Sequence, residues 1–402
     1  MAADRAEFLV IGAGALGASA AFHLAALGRD VVVLDAGPVG SETTSQGAGF
    51  LCSMRPTPAA THIVHHSTRF YGRFEEETGY GIDLHRTGGA RIALSERSLE
   101  ALDREAEVAR RAGVEASRLG GDDIGRLLPA MNCAGLAGGV LVPDEGYVTA
   151  TRDVAVGLAR AAADSGARIH TFRRVEALRP HPRGMFEAVT PAGNVTAEKV
   201  VLAANAGMWP LCRQMGDLYP AYPLQHECVV YALADGLSSA MPTVRIVERD
   251  LYIRHEAGGL LVGGVGEDIH GPAPDADGAR FFLRQGDVLP SEIGNARRRA
   301  AHFFPALDRA FCIREQRGLA MVAPDLEPIA GEWRRNLFVM SADLRGIQSA
   351  PALGLMVAQL AAHGESEFDH RPFRPGRFPE VGSGAEVLAA AREGLRPRRW
   401  PA

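Results

Sequence analysis

Phe8-Leu-Val-Ile11-Gly12-Ala-Gly14-Ala-Leu-Gly17 is followed, one helix's length later, by Val31-Val-Val-Leu34-Asp35. Residues 8–11 form a short apolar run of the kind buried on both faces of a parallel sheet. The glycines that follow make a GxGxxG. Gly12 suits a tight turn from strand to helix, Gly14 lets backbone approach a pyrophosphate, and Gly17 lets the helix pack on the sheet. Ala18 to Leu27 reads as a helix of small and apolar residues that stops at Gly28. The helix N-terminus offers free N–H groups to phosphates. A second buried strand ends in Asp35, placed to accept hydrogen bonds from a ribose diol. A lone GxGxxG carries little weight, but here strand, glycines, helix, strand and terminal acid come in order. The acid disfavours a 2′-phosphate and hence NADP; FAD and NAD both remain.

The chain has 402 residues, enough for two domains, with 47% apolar and 23% charged residues. A net charge of −5 gives no basic footprint for nucleic acid. No apolar run is long enough for a membrane span. Asp4 and Glu7 precede the first apolar run, unlike the basic start of a signal peptide, so a cytoplasmic location is expected. The five cysteines are scattered and the histidines lack metal-ligand spacing, so no metal is expected. Lys199 is the single lysine among 43 basic residues, which makes it the single side-chain amine.

Beyond Asp35 the chain runs through Ser41-Glu-Thr43-Thr44-Ser45-Gln46-Gly47-Ala48-Gly49-Phe50-Leu51. A loop this rich in hydroxyls and glycine can line a pyrophosphate and lie against a flat ring; an ordinary surface loop is the alternative. Thr43-Thr44-Ser45-x-x-Ala48-Gly49-x-Leu51 resembles the second FAD-contacting loop of glycine oxidase, in the D-amino acid oxidase and sarcosine oxidase superfamily. Arg86-Thr-Gly88-Gly89, Asp144-Glu-Gly146-Tyr-Val148, Val200-Val-Leu-Ala-Ala-Asn-Ala206-Gly207-Met-Trp209, Pro324-Asp325-Leu-Glu-Pro328 and Gly346-Ile-Gln348 resemble further segments of that superfamily, in order. Leu251-Tyr252-Ile-Arg254 and Arg371-Pro-Phe-Arg-Pro-Gly-Arg377 look most like bacterial D-arginine dehydrogenase.

The resemblance implies an α/β chain in which a Rossmann-type FAD-binding domain is interleaved with an α+β substrate domain on a mostly antiparallel sheet. Residues 1–84, 143–220 and 318–365 would form the first, 85–142 and 221–317 the second, and 379–402 a surface tail. The cofactor would be noncovalent FAD. Gly12, Gly14, Ala15, Leu16, Gly17, Thr43, Thr44 and Ser45 would take the phosphates, and Asp35 with Ala36 the ribose. Val175 would lie at the adenine. Ala48, Gly49 and Phe50 would lie on the flavin face, and Leu344, Arg345, Gly346, Ile347 and Gln348 at its pyrimidine edge. Gly207 and Trp209 complete the expected contacts. A helix starting near Ala350, with Pro351 in its first turn, would point its positive end at the ring.

Four residues are candidates for the substrate. Tyr252 matches a pocket tyrosine of the D-arginine dehydrogenase type, or is a packed strand aromatic. Arg55 falls near an early carboxylate-binding arginine, or is a loop arginine. Arg345, where the family often has His or Tyr, could tune the flavin, hold a carboxylate or be a surface residue. Glu227, beside His226, could hold a cationic amine or face outward.

Departures matter as much. Ala320 stands where many members have the carboxylate arginine, and Gln348 where sarcosine oxidase has a lysine. Gly89 and Ala90 replace a glutamate that D-arginine dehydrogenase uses. Leu261 replaces the oxygen-activating lysine of sarcosine oxidase. Asp343-Leu344 replaces a glycine-rich run. Gly318 and Gln46 stand where relatives have flavin-linking Cys and His. The expected reaction is oxidation of a small amine or amino acid, with hydride transfer to flavin N5 and hydrolysis of the imine. The electron acceptor would be a quinone, another carrier or O2. Alternatives are oxidation of a 2-hydroxy acid or alcohol by a base such as His65, His66 or His226, a flavoprotein subunit of an electron-transfer complex, and an NAD-binding module. A homo-oligomer is compatible with all of these.

Overall fold

The structure, a computed structural model, describes residues 4–234, 236–264 and 297–378, with 386, 387, 389, 390 and 393; at Arg183, Gln225 and His226 it describes the backbone alone. Most of the expected tail, 379–402, lies outside these residues, though Val387 is buried beside the first sheet.

Strand Asp4–Ile11 runs through the middle of that sheet, parallel to Val31–Leu34 on one side and Val195–Leu202 on the other. Arg168–His170 extends the first flank, and Met185–Val189 with Ala177–His181 the second. Leu337–Ser341 also pairs with Val195–Leu202 and carries Ile329–Arg334. Phe8 and Val10 face one hydrophobic core while Leu9 and Ile11 face another, so the apolar run is continuous because both faces are covered.

Helices Ala15–Ala26 and Gly346–His363 cover one face and touch each other. Gly354 allows this approach: a Cβ there would lie 2.1 Å from Ser19 Oγ. The second helix starts at Gly346, not near Ala350, so Pro351 sits inside it rather than in its first turn. The helix survives because the carbonyl that Pro351 cannot engage, that of Ile347, has a side-chain donor instead.

The second sheet has the order Phe311–Val322, Tyr222–Ala232, Gly259–Gly263, Leu251–Glu256, Thr243–Ile246, Gly89–Ala93, Gly138–Val142, Ser117–Leu119. Every pairing in it is antiparallel except that of Thr243–Ile246 with Gly89–Ala93. Strand Phe311–Val322 is continuous across residue 318, and its last residues are buried against the first sheet's core. A small sheet of Phe50–Leu51, Gly146–Val148 and Leu84–His85 holds the residues around Ala48 in place. Among the described residues no helix is long and apolar enough to cross a membrane.

Candidate active site

At the carboxyl ends of the first sheet's central strands, a cleft opens between the two large sheets. Open sheets of this kind place ligands there. One wall starts at the glycine turn. Gly12 has φ +103°, and a Cβ on it would strike the Ala203 carbonyl at 2.5 Å. A Cβ on Gly17 would strike the Gly12 carbonyl. The turn therefore packs tightly beneath the helix, and Gly14, Ala15 and Leu16 come to line the cleft.

Asp35 does not line it. Its carboxylate accepts Ala13 N–H at 2.6 Å and Gly37 N–H at 2.8 Å, bracing the turn from behind. Burial pushes this carboxyl up, and those two donors oppose the shift. Thr44 Oγ1 accepts Ala15 N–H at 3.0 Å, so the hydroxyl loop caps the opening helix. Thr43 donates to the Leu319 carbonyl at 2.7 Å, and Asn205 Nδ2 donates to both Thr43 Oγ1 and that carbonyl. Ser45 turns back on its own loop, bonding the Ser41 and Glu42 carbonyls.

The second wall is Gly47 to Phe50. Gly49 has φ +74°, and a Cβ on it would meet the Val148 carbonyl at 1.9 Å. Arg254, fully buried, donates from Nε to the Ala48 carbonyl at 2.7 Å and pairs with Glu256 at 2.5 Å. It ties this wall to the second sheet.

The third wall joins the start of helix Gly346–His363 to a knot of charges. Arg345 pairs with Glu327 at 3.2 Å and Asp343 at 3.4 Å and bonds the Leu326 carbonyl. Arg55 reaches the other Glu327 oxygen at 3.5 Å. Burial, then the neighbouring Arg345, lowers Arg55 to about 10. Burial raises Asp343 to about 6 against the pull of Arg345. Asp343 has φ +55°. It holds the left-handed backbone that a glycine would adopt freely, in the stretch where the resembling family has a glycine-rich run. Its Oδ1 has no hydrogen-bond partner in the structure.

The second sheet closes the cleft with Tyr252, Arg245, Asp250 and Ala320. Burial raises the Tyr252 phenol well above its ordinary value; its hydroxyl donates to the Glu227 carbonyl at 3.3 Å, and its ring meets Phe50 edge-on at 5.1 Å. Leu261 is fully buried in the same apolar cluster.

Of the residues picked from sequence, Tyr252, Arg55, Arg345, Gly14, Ala15, Leu16, Thr43, Thr44, Ala48 to Phe50 and Leu344 to Gln348 all line this cleft. Ala36, Val175, Gly207 and Trp209 do not: Trp209 donates to the Ala221 carbonyl at 2.6 Å in the core, and Val175 packs beside it. Glu227 faces Arg317 across the strand pair, 3.9 Å away, rather than the cleft. Arg245 and Asp250 carried no local signal and arrive by tertiary placement alone; Asn205 lies inside the segment 200–209, but nothing there singles it out.

A sequence profile described as "DAO: FAD dependent oxidoreductase" matches residues 7–360. The chain belongs to that family. Mouse mitochondrial dimethylglycine dehydrogenase is 28% identical over 97% of this chain and 46% of its own length. The 4-methylaminobutanoate oxidase (formaldehyde-forming) of Paenarthrobacter nicotinovorans is 29% identical over 98% of this chain and 48% of its own. The chain therefore spans about half the length of these two relatives. The crystal structure of glycine oxidase from Geobacillus kaustophilus superposes with a TM-score of 0.80 at 28% identity, covering 94% of this chain and 100% of that one.

The residues present fit the family's FAD. The glycine turn leaves backbone room at Gly14, whose Cβ would meet only Thr44 Oγ1. Gly346 faces open space at a helix N-terminus with no acid in its first turn. Both features suit an anionic, planar group.

Proposed function

We propose that this chain oxidises the C–N bond of a small amine or amino acid in the cleft. The observation that carries the reading is one cavity bounded by both the phosphate-type glycine turn and the polar groups of the second sheet. The relatives named above are enzymes of dimethylglycine, 4-methylaminobutanoate and, in the solved structure, glycine.

FAD, held without a covalent link, supplies the hydride acceptor. The helix start at Leu16 and Gly17, with Thr44, would hold the diphosphate, and Asp35 would keep the turn in shape for the ribose. Ala48, Gly49 and Phe50 would cover one face of the ring, and Gly346 to Gln348 would offer N–H groups to its anionic edge. Gln46 and Gly318 line the cleft but offer no nucleophile for a linkage. Tyr252 and Phe50 shield the reacting carbon from water and fix its orientation. Position and a dry pocket supply most of the rate in such a reaction.

His65 and His66 do not line the cleft, and the His226 side chain lies outside the described residues, on a strand position opposite Gly318 of the cleft wall. Leu261, at the position of sarcosine oxidase's oxygen-activating lysine, is buried in an apolar cluster, which supports a quinone or other carrier over O2 as acceptor. The reading includes a cytoplasmic location.

The test is anaerobic mixing of the FAD-loaded protein with amines, amino acids and their N-methyl derivatives. Loss of the oxidised flavin absorbance with at least one is expected; no bleaching by any removes the assignment.

A further inference from the structure

The register of the second sheet sets Arg91, Arg245, Tyr252 and Gly263 in one transverse row, each opposite the next. Neighbours paired this way share a face of the sheet. Gly263 makes room for the row, since a Cβ there would overlap the Tyr252 ring. The Arg245 guanidinium carbon lies 6.0 Å from the centre of that ring.

The arginines around the cleft differ in one respect. Arg55 and Arg345 share the Glu327 carboxylate, and Arg345 also has Asp343. Arg91 is paired with buried Glu145 at 3.0 Å. Arg245 lines the cleft and makes no hydrogen bond or ion pair with any described residue, and its buried Nε has no partner. Asp250, an acid on the same wall, has an interaction of its own. A half-buried cation without a counter-ion is costly, and a ligand anion removes that cost. Ala320 also lines the cleft and is too small to obstruct a ligand there.

We propose that Arg245 is the carboxylate anchor of this site, so that the substrate is an amine bearing a carboxylate rather than a simple alkylamine. This rests on the cleft being the place of amine oxidation. A planar monoanion matches one guanidinium, which can grip both of its oxygens. Tyr252 lies alongside as an apolar plate under the guanidinium. Arg55 and Arg345 are held by their own carboxylates, so drafting either for a ligand breaks an existing pair.

The experiment uses the FAD-loaded full chain and follows the flavin absorbance spectrum while propionate, or propionamide as the uncharged control, is titrated in. The wild type should bind propionate more tightly than propionamide. Arg245→Gln should lose propionate affinity on the order of 10- to 100-fold with propionamide unchanged, and Arg245→Lys should keep part of it. Flavin content and circular dichroism check that each variant is folded. Equal binding of acid and amide by the wild type overturns the proposal without any variant, as does wild-type propionate affinity in Arg245→Gln. Should Arg245→Gln fail to fold, an Arg245→Lys protein with undiminished affinity overturns it equally. Bleaching by amines is measured separately. If amines reduce the flavin but Arg245 does not discriminate, the anchor fails and the oxidation stands. If propionate binds through Arg245 but nothing bleaches, the anchor stands and the oxidation fails.

Discussion

Tyr71 donates its hydroxyl to the carbonyl of Ile347 at 2.7 Å, spanning 276 residues of sequence. That carbonyl is the one Pro351, four residues on in the same helix, cannot serve. Ile347 lines the cleft, and Tyr71 is 1% exposed, so the bond fixes the start of the helix from inside the core. Tyr71→Phe keeps the ring and leaves the carbonyl buried and unpaired. It should cost about 1–3 kcal/mol of stability and weaken FAD retention, read by thermal unfolding and by flavin release on dialysis. An unchanged melting temperature and unchanged flavin content would show that Pro351 needs no such partner.

This contact is long-range, and nothing local in the sequence encodes it. The strand-turn-helix from Phe8 to Asp35 was legible because its logic is local: glycines where backbone must approach, apolar runs where both faces are buried. The loop from Thr43 to Phe50 was legible by resemblance. Proline normally sits in a helix's first turn, which points to a start near Ala350; the helix begins at Gly346 because the rescuing donor, Tyr71, comes from a distant helix. Glu227 and Tyr252 both lie on alternating strands, where which face turns inward depends on register with neighbours; one lines the cleft and the other faces Arg317. Arg245 looks like any strand arginine until Arg91 and Tyr252 are set beside it.

Asp343 titrates at about 6 in the folded protein against an ordinary 3.8, because burial outweighs Arg345. The folded chain thus holds the proton more tightly than the unfolded one. Stability from this group is full below about 4, falls as pH rises toward 6, and stays at its lower level above. Asp343→Asn abolishes the titration. The melting temperature of the variant relative to wild type should rise between pH 4 and pH 7, on the order of 2–4 °C. A constant difference across that window would mean that Asp343 is ionised throughout.

Glu327 neutralises two arginines at once, Arg55 and Arg345, both on the cleft wall. Glu327→Gln leaves more positive charge where FAD would bind. The reduced, more anionic cofactor gains from this more than the oxidised one. The midpoint potential of the loaded protein should rise, on the order of tens of millivolts, and fall back as salt is added. A potential that stays put or drops would place the pair too far from the ring to be felt.

Two glycines of the cleft separate the demands of folding from those of the cofactor. At Gly49 both act together: φ is +74°, and a Cβ would lie 1.9 Å from the Val148 carbonyl and 3.2 Å from Thr151 Cγ2. The neighbouring Ala48 carbonyl is held by Arg254, and Gly49's own carbonyl by Val148 N–H at 2.9 Å, so the loop has no direction in which to yield. Gly49→Ala should therefore lower the melting temperature of the FAD-free protein, with a cost of about 2 kcal/mol or more. Gly346 has no atom within 4 Å of its Cβ position and heads a helix, where alanine is the better residue. Gly346→Ala should leave the FAD-free protein as stable as wild type or slightly more so, yet weaken FAD binding, because the space it fills belongs to the ring. Calorimetry of both variants with and without FAD distinguishes the two effects. A Gly346→Ala protein that binds FAD as tightly as wild type would mean that the flavin does not reach the head of this helix.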